Sequence, residues 1–478
     1  DSCRYDTGPE YECFTLMDKY NIYSDRDRLI FNSNISVAGT KNNILGFGDI
    51  VAPPYVVSDF RFETKIDGEI VKPSVYFHLP NDFDRGVRLN DNMTIQTTLS
   101  LPKRDRLLLA LAQVTNFDSS TATVELEFTM KGKFGRYDTK GWTPGGPDPD
   151  RDTVTIFYEE DNIVLAGTVF GGVFCKTDLE NAALEGDVFK ATLELAPMEE
   201  EYFHFTCGVG SEAEARELIE RYSDTGELVR KGRQYFRLDL YDLFEHIPYI
   251  ITDDYKLRRF YDRSAYSILA SKWRLTRPFY VFPYYAANGL DGSGFPVRPD
   301  ALSKVSLILA MADPVSMQDL TRRFVRTDIE EFGALDPLTG RGTGPPAAEP
   351  YYHLMKIVYD YLSVTGDLEF VERHGLLEKF TRSLEKDLST LEMPSLADYG
   401  ECAGIASCRY EGFDHLNPLL NARRVWMYHT LADLVRIYKD NDQWADLLDK
   451  KGRRLADLID AKLWDRSEKW YGSAGPDG

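Results

Sequence analysis

Hydrophobic and polar positions follow two different rhythms along this chain. Up to about residue 210, short β-branched and aromatic runs are separated by Gly, Pro, Asn and Asp. That pattern predicts strands at Tyr55 to Phe62, Met93 to Leu101, Thr121 to Met130, Thr153 to Tyr158, Asn162 to Phe170 and Tyr202 to Gly208. In Thr123-Val124-Glu125-Leu126-Glu127-Phe128 every second residue is apolar, as in a strand with one buried face. Many short strands with turn signals between them predict a large antiparallel β-sandwich over 1–210.

The rhythm changes after Ser211, a capping residue ahead of a charged first turn (Glu212 to Arg216). This helix and a second near Leu228 to Phe244 predict a helical linker over 211–249. From 250 to 478 the period is helical. Helices are expected at Asp254 to Trp273, Asp300 to Met311, Val315 to Thr327, Glu349 to Thr365, Leu368 to Glu392, Leu419 to Asp440 and Trp444 to Leu463. Long loops at 274–299, 332–348 and 393–417 separate several of them, and loops of that length are usually functional. Alternating helices and long loops suggest stacked helical hairpins rather than a compact bundle.

Composition narrows the function. The chain has 478 residues, 43% of them hydrophobic, enough for a sizeable core. Its net charge of −21 disfavours nucleic acid and anionic lipid as partners. No apolar run approaches the roughly 18 residues that span a bilayer, so membrane insertion is not expected. Aromatic residues are abundant (28 Tyr, 27 Phe, 6 Trp). They suit either sugar platforms or a sandwich core. Six cysteines fall into near pairs, Cys3 with Cys13, Cys175 with Cys207 and Cys402 with Cys408. With the sequons at Asn34 and Asn92 and an N-terminus that reads as a mature chain, they point to an exported protein, extracellular or periplasmic, with disulfides.

Three segments carry a family resemblance: Gly294-Phe295-Pro296-Val297-Arg298-Pro299-Asp300-Ala301 with its apolar helix and Ala312-Asp313-Pro314; Gly344-Pro345-Pro346, then Tyr351 to Tyr361 and Thr365-Gly366-Asp367; and Asn417 to Tyr438. Their order resembles the inverting (α/α)6-barrel glycoside hydrolases with an N-terminal β-sandwich, the superfamily of processing α-glucosidase and glucoamylase. The resemblance implies an (α/α)6-type helical-hairpin toroid over 250–478, incomplete at its C-terminal end, and a glycosidase with no cofactor and a carbohydrate substrate. It also implies an acid in the loop 396–417 and a sugar-binding aspartate at Asp300. Two departures stand out. Glu411-Gly412-Phe413-Asp414-His415 has one Asp where the family's acid loop has two. About seven helices are predicted where the barrel has twelve. A second chain or a further C-terminal segment is therefore expected to complete the barrel and supply the general base.

Inverting glycoside hydrolysis needs one carboxylic acid to protonate the leaving oxygen and a second carboxylate to activate water, roughly 6.5–9.5 Å apart. The loop 396–417 holds Asp398, Glu401, Glu411 and Asp414. Asp414 is the first choice for the acid, beside the helix that follows, then Glu411 and Glu401; the alternative is solvated loop carboxylates or a helix cap. A Cys402–Cys408 bridge would brace this loop. Asp300 could bind sugar hydroxyls or cap its helix, and Arg298 could pair with it or meet an acidic substrate. Trp273, Tyr284 and Tyr285 belong to an aromatic cluster suited to a sugar platform or to packing. Glu349, Tyr352 and His353 follow the Gly-Pro-Pro turn and could line the same cleft, and His415 could orient an acid. Trp426 reads as core.

No metal is expected. The seven histidines lack ligand spacing. Asp148, Asp150, Asp152 and Glu159 match positions of a calcium loop, but Thr153 stands where that loop needs Gly, so a solvated charge run is preferred. Phosphate-binding Gly motifs do not occur. The rival readings are a disaccharide phosphorylase, a polysaccharide lyase on the same toroid, and a non-catalytic sugar-binding protein.

Overall fold

The computed structural model describes residues 28–475, apart from 32–33, 79–80, 103–104, 137–154, 160–161, 167–170, 181, 223–224, 270, 275–282, 286–296, 337, 345, 347–348, 387–391 and 401–414. Two compact units divide the chain: residues 1–295 with 337–339, and 296–336 with 340–478.

The first unit is built on two antiparallel sheets. One has eight strands, with the spatial order Arg28–Phe31, Ser36–Gly39, Phe47–Ala52, Tyr55–Ile66, Ala122–Arg136, Val188–Leu195 and Ala183–Glu185. Its eighth strand, Glu69–Ile70, pairs with Tyr55–Ile66. The other has six, in the order Gly172–Thr177, Glu200–Gly210, Leu107–Asn116, Met93–Ser100, Asp82–Asn90 and Val75–His78. Inward residues of both sheets form one apolar core. The alternation in Ala122–Arg136 holds: Val124, Leu126, Phe128 and Met130 are buried while Thr123 and Glu125 are exposed. Rings from the two sheets interlock there. Phe205 meets Phe128 edge-on at 4.8 Å and Phe62 at 5.4 Å. Much of the aromatic excess is therefore sandwich core.

Three helices of this unit follow the sheets: α1 (Glu212–Arg221), α2 (Thr225–His246) and α3 (Tyr255–Leu269). The predicted cap is a full capping box. The Ser211 hydroxyl accepts from Glu214 N, and the Glu214 carboxylate accepts from Ser211 N at 2.9 Å. The same carboxylate takes the Tyr55 hydroxyl (2.8 Å) and Arg106 (3.0 Å), which fastens α1 to the sheets. Leu218 packs on Leu107 and Leu109 behind the second sheet, with Leu228 and Val229 of α2 alongside. Arg233 of α2 forks onto Asp82 (2.8 Å) and Asp84 (2.8 Å) of one strand.

The paired cysteines need correction. Cys175 and Cys207 are register partners on adjacent strands, as their proximity suggested, but they are buried free thiols. Directly opposed strand residues hold their Cβ atoms at roughly 4.5–5.5 Å. A disulfide wants roughly 3.5–4.5 Å. Cys3, Cys13, Cys402 and Cys408 lie outside the described residues, as do Asp148, Asp150 and Asp152. The sequon residue Asn34 is buried and Asn92 is exposed.

The second unit contains α4 (Pro299–Leu302), α5 (Ser306–Ala312), α6 (Pro314–Arg326), α7 (Pro350–Thr365), α8 (Glu369–Arg373), α9 (Leu376–Leu384), α10 (Pro418–Lys439) and α11 (Asp442–Leu463). α7 packs on α4, α5 and α6 and also touches α10, which packs on α9 and α11. Two expected helices are split. The helix predicted over Asp300 to Met311 breaks after α4, where the Ser303 hydroxyl donates to Asp300 O (3.2 Å) and the Ser306 hydroxyl to Ser303 O (3.1 Å). The one predicted over Leu368 to Glu392 breaks at Gly375, whose φ is +58°. A third, from Asp254, ends at Leu269, and Trp273 lies instead in a short strand, Lys272–Arg274.

The Thr-Gly-Asp turn is structural. Gly366 closes α7 with φ +63°, and Asp367 accepts from the Tyr361 hydroxyl (2.8 Å) and Gln318 (3.0 Å).

Candidate active site

The second unit's described candidates lie at the starts of α4, α7 and α10. Glu349 occupies the N-cap position of α7, with φ +54° and no side-chain capping bond. A left-handed non-glycine residue costs of the order of 1–2 kcal/mol. Such strain concentrates at functional sites. Its carboxylate instead accepts the hydroxyl of Tyr399. Burial raises the Glu349 carboxyl above its ordinary range, against the Tyr399 hydrogen bond and the charges of Arg424 and Arg423. Tyr399 in turn is pushed well above the usual phenol range by burial and by the Glu349 charge. The pair is thus a part-buried carboxyl, inclined to keep a proton, locked to a phenol.

Tyr399 also ties this carboxyl to the loop that holds the predicted acids. Its N–H donates to His415 O (3.0 Å), and His415 N–H donates to Gly400 O (2.8 Å). Gly400 and His415 flank residues 401–414 in the chain, and both are linked through Tyr399 to Glu349. His415 has φ +48° and its Nδ1 lies 3.0 Å from Asp398 Oδ1. Backbone donation from Gly400 and then His415 hold the Asp398 carboxyl below its ordinary range. Glu401, Glu411 and Asp414 themselves lie outside the described residues.

One turn into α7, Tyr352 meets Trp426 of α10 edge-on at 5.4 Å and His353 at 5.1 Å. Arg423 of α10 lies over the Tyr352 ring at 4.9 Å. His353 is buried, with Nδ1 2.8 Å from the Ser303 hydroxyl. Burial, then the charge of Arg423, drops it to about 4, so it is neutral near pH 7. Ser303 leads back to Asp300, which is not a cap: the N-cap of α4 is Arg298. The Arg298 fork grips Asp300 at 3.0 and 3.1 Å. Burial opposes ionisation of Asp300, but Arg298 outweighs it and the carboxyl sits below its ordinary range.

The structure therefore joins Arg298, Asp300, Glu349, Tyr352 and His415 into one cluster. It adds Tyr399, Arg423 and Arg424, which sequence reading missed. Arg424 donates to Ser395 O at 3.1 Å, beside Asn421, which bonds both the N–H and the carbonyl of Ala397 (2.8 and 3.1 Å). The only signal for these residues was their nearness to Asn417 in the third motif. Tyr285 belongs to the first unit. It pairs with Lys272 in the first unit and is buried, 6% exposed, which suits packing better than a sugar platform. Trp273 beside it is wholly buried. The side chain of Tyr284 lies outside the described set. Among the described residues no group of His, Cys, Asp and Glu could hold a metal, and no helix is long and apolar enough to cross a membrane.

No protein-family profile and no curated protein matches the sequence. Solved structures do match. A protein from the human microbiome, provisionally assigned as a kojibiose phosphorylase, superposes with a TM-score of 0.53 at 13% identity, over 94% of this chain and 69% of that one. A bacterial glucoamylase solved with acarbose superposes with a TM-score of 0.55 at 12% identity, over 91% of this chain and 67% of that one. Identities this low speak to architecture. The chain shares the fold of these two proteins, with an N-terminal β-sandwich followed by a helical part.

Proposed function

We propose that this protein cleaves a glycosidic bond of an oligo- or polysaccharide by general acid–base catalysis with inversion. The observation that carries this reading is that Tyr399, which gives its hydroxyl to Glu349, also bonds His415, whose N–H donates to Gly400 O. In the sequence, the stretch between Gly400 and His415 carries three more carboxyls, Glu401, Glu411 and Asp414, and this chemistry requires a pair of carboxyls. In this reading Asp414, or else Glu411 or Glu401, protonates the leaving oxygen. Glu349, Tyr352 and the Arg298–Asp300 pair bind sugar hydroxyls. The general base is supplied from outside this cluster.

A second reading is an inverting phosphorylase, favoured by the fold shared with the microbiome protein and by Arg423, which has no ion-pair partner among the described residues. It needs one carboxyl acid and takes phosphate in place of water.

The test is turnover of α- and β-linked disaccharides followed by proton NMR, with and without phosphate. The hydrolase reading expects free sugar of inverted anomeric configuration and no dependence on phosphate. One of Asp414→Asn, Glu411→Gln and Glu401→Gln should lower kcat about a hundredfold or more. Sugar 1-phosphate formed only with phosphate would establish the phosphorylase instead. Unsaturated, ultraviolet-absorbing products would mean a lyase.

A further inference from the structure

The three arginines at the site are partnered unequally. Arg298 is neutralised by Asp300, and Arg424 is spent on the Ser395 carbonyl. Arg423 makes neither a hydrogen bond nor an ion pair with any described residue; its guanidinium only rests over the Tyr352 ring. The sequence carries 77 acidic against 56 basic residues. Even on exposed helix faces Arg216, Arg373 and Arg436 each find a carboxylate. The Arg423 charge also acts on both Glu349 and His353. Among the described residues, His353 is neutral, Asp300 is already committed to Arg298, and Glu349 accepts from the Tyr399 hydroxyl. The ring beneath holds the planar fork in place, which suits two-point recognition of an oxyanion.

We propose that Arg423 is an oxyanion subsite, binding an anionic group of the substrate complex: a carboxylate or phosphate carried by the sugar, or free inorganic phosphate. The inference rests on the sugar-processing reading above and names the kind of ligand that the site accepts.

Binding, measured calorimetrically without turnover, separates the two claims. The probes are a disaccharide ending in glucuronic acid, its neutral glucose counterpart, and inorganic phosphate with the neutral disaccharide present. The wild-type protein should bind one of the anions, or prefer the glucuronide, by about tenfold or more. That preference should shrink with rising salt. Arg423→Met should abolish it. Arg423→Lys, which keeps the charge but loses the fork, should retain part of it, and it carries the test should Arg423→Met not fold.

A preference for the glucuronide assigns the anion to the sugar, and phosphate binding assigns it to free phosphate; both support the subsite. Equal affinity for all probes in the wild type overturns it, even in an active hydrolase. So does an Arg423→Met variant that weakens charged and neutral ligands alike. A protein that prefers the anion yet cleaves nothing keeps the subsite and sinks the hydrolase reading.

Discussion

At Glu349 burial, the hydroxyl of Tyr399 and the charges of Arg424 and Arg423 all bear on one proton. Tyr399 stabilises the ionised carboxyl, so its loss leaves burial less opposed. In Tyr399→Phe the Glu349 carboxyl should therefore titrate at higher pH than in the wild type. The pH profile of sugar binding should move upward with it, and catalysis should fall by roughly ten- to a hundredfold through lost positioning. An unchanged profile would mean that Glu349 plays no part in binding. At this scale the sequence was a partial guide. Glu349, Tyr352 and Asp300 were visible because they sit beside Pro- and Gly-marked turns. Tyr399 and Arg423 were not, because their significance is a contact across many residues with no local pattern. Asp300 shows the converse: its local position suggested a cap, and a neighbouring arginine two residues away decided otherwise.

Among elements, two docking contacts make sharp predictions. A Cβ at Gly208 would stand 2.8 Å from Ala215 O and 3.0 Å from Ala215 Cα, both backbone atoms of α1 or its start. Gly208→Ala should push α1 off the sheet and cost about 1–3 kcal/mol, read from urea denaturation. In the second unit Lys451 of α11 is wholly buried and donates to Glu385 just past α9. Lys451→Met leaves Glu385 stranded and should cost about 3–5 kcal/mol, whereas Lys451→Met combined with Glu385→Leu should recover most of it. No recovery would show that packing volume, not charge, holds these helices together. The strands and helices themselves were largely legible, because alternation and helical period are local. The errors came where local side-chain bonding at Ser303 and Ser306, or a left-handed Gly375, interrupted a periodic run.

Across the molecule, acid stability should have two opposing components. Burial, opposed first by Arg233, raises Asp82 from 3.8 to about 6. Between those values the folded chain holds a proton that the unfolded chain has released, so this group's contribution declines as pH rises through the window. His353 runs the other way. Burial and Arg423 drop it from 6.5 to about 4, so the unfolded chain takes up its proton first. Its contribution is complete above pH 6.5 and is lost as pH falls towards 4. Asp82 lies in the first unit and His353 in the second. Urea melts between pH 4 and 6.5 should show the first unit relatively favoured by acid and the second disfavoured. Asp82→Asn should flatten the first trend and His353→Gln the second. A trend that survives its own substitution would assign it to other groups.

Local pattern settled the order of architectures here, strands first and helical hairpins after, because burial on one face writes itself into sequence at period two or near 3.6. It also settled the capping box of α1, whose parts lie three residues apart. Only the tertiary structure decided that most sandwich aromatics are core, that Cys175 and Cys207 face each other as thiols, and that Tyr285 is buried. It alone brought Glu349, Tyr399, His415 and Arg423 together from separate hairpin ends. The physical reason is the same in each case: burial, pairing and proton affinity depend on neighbours distant in the chain, and those neighbours exist only once the hairpins have packed.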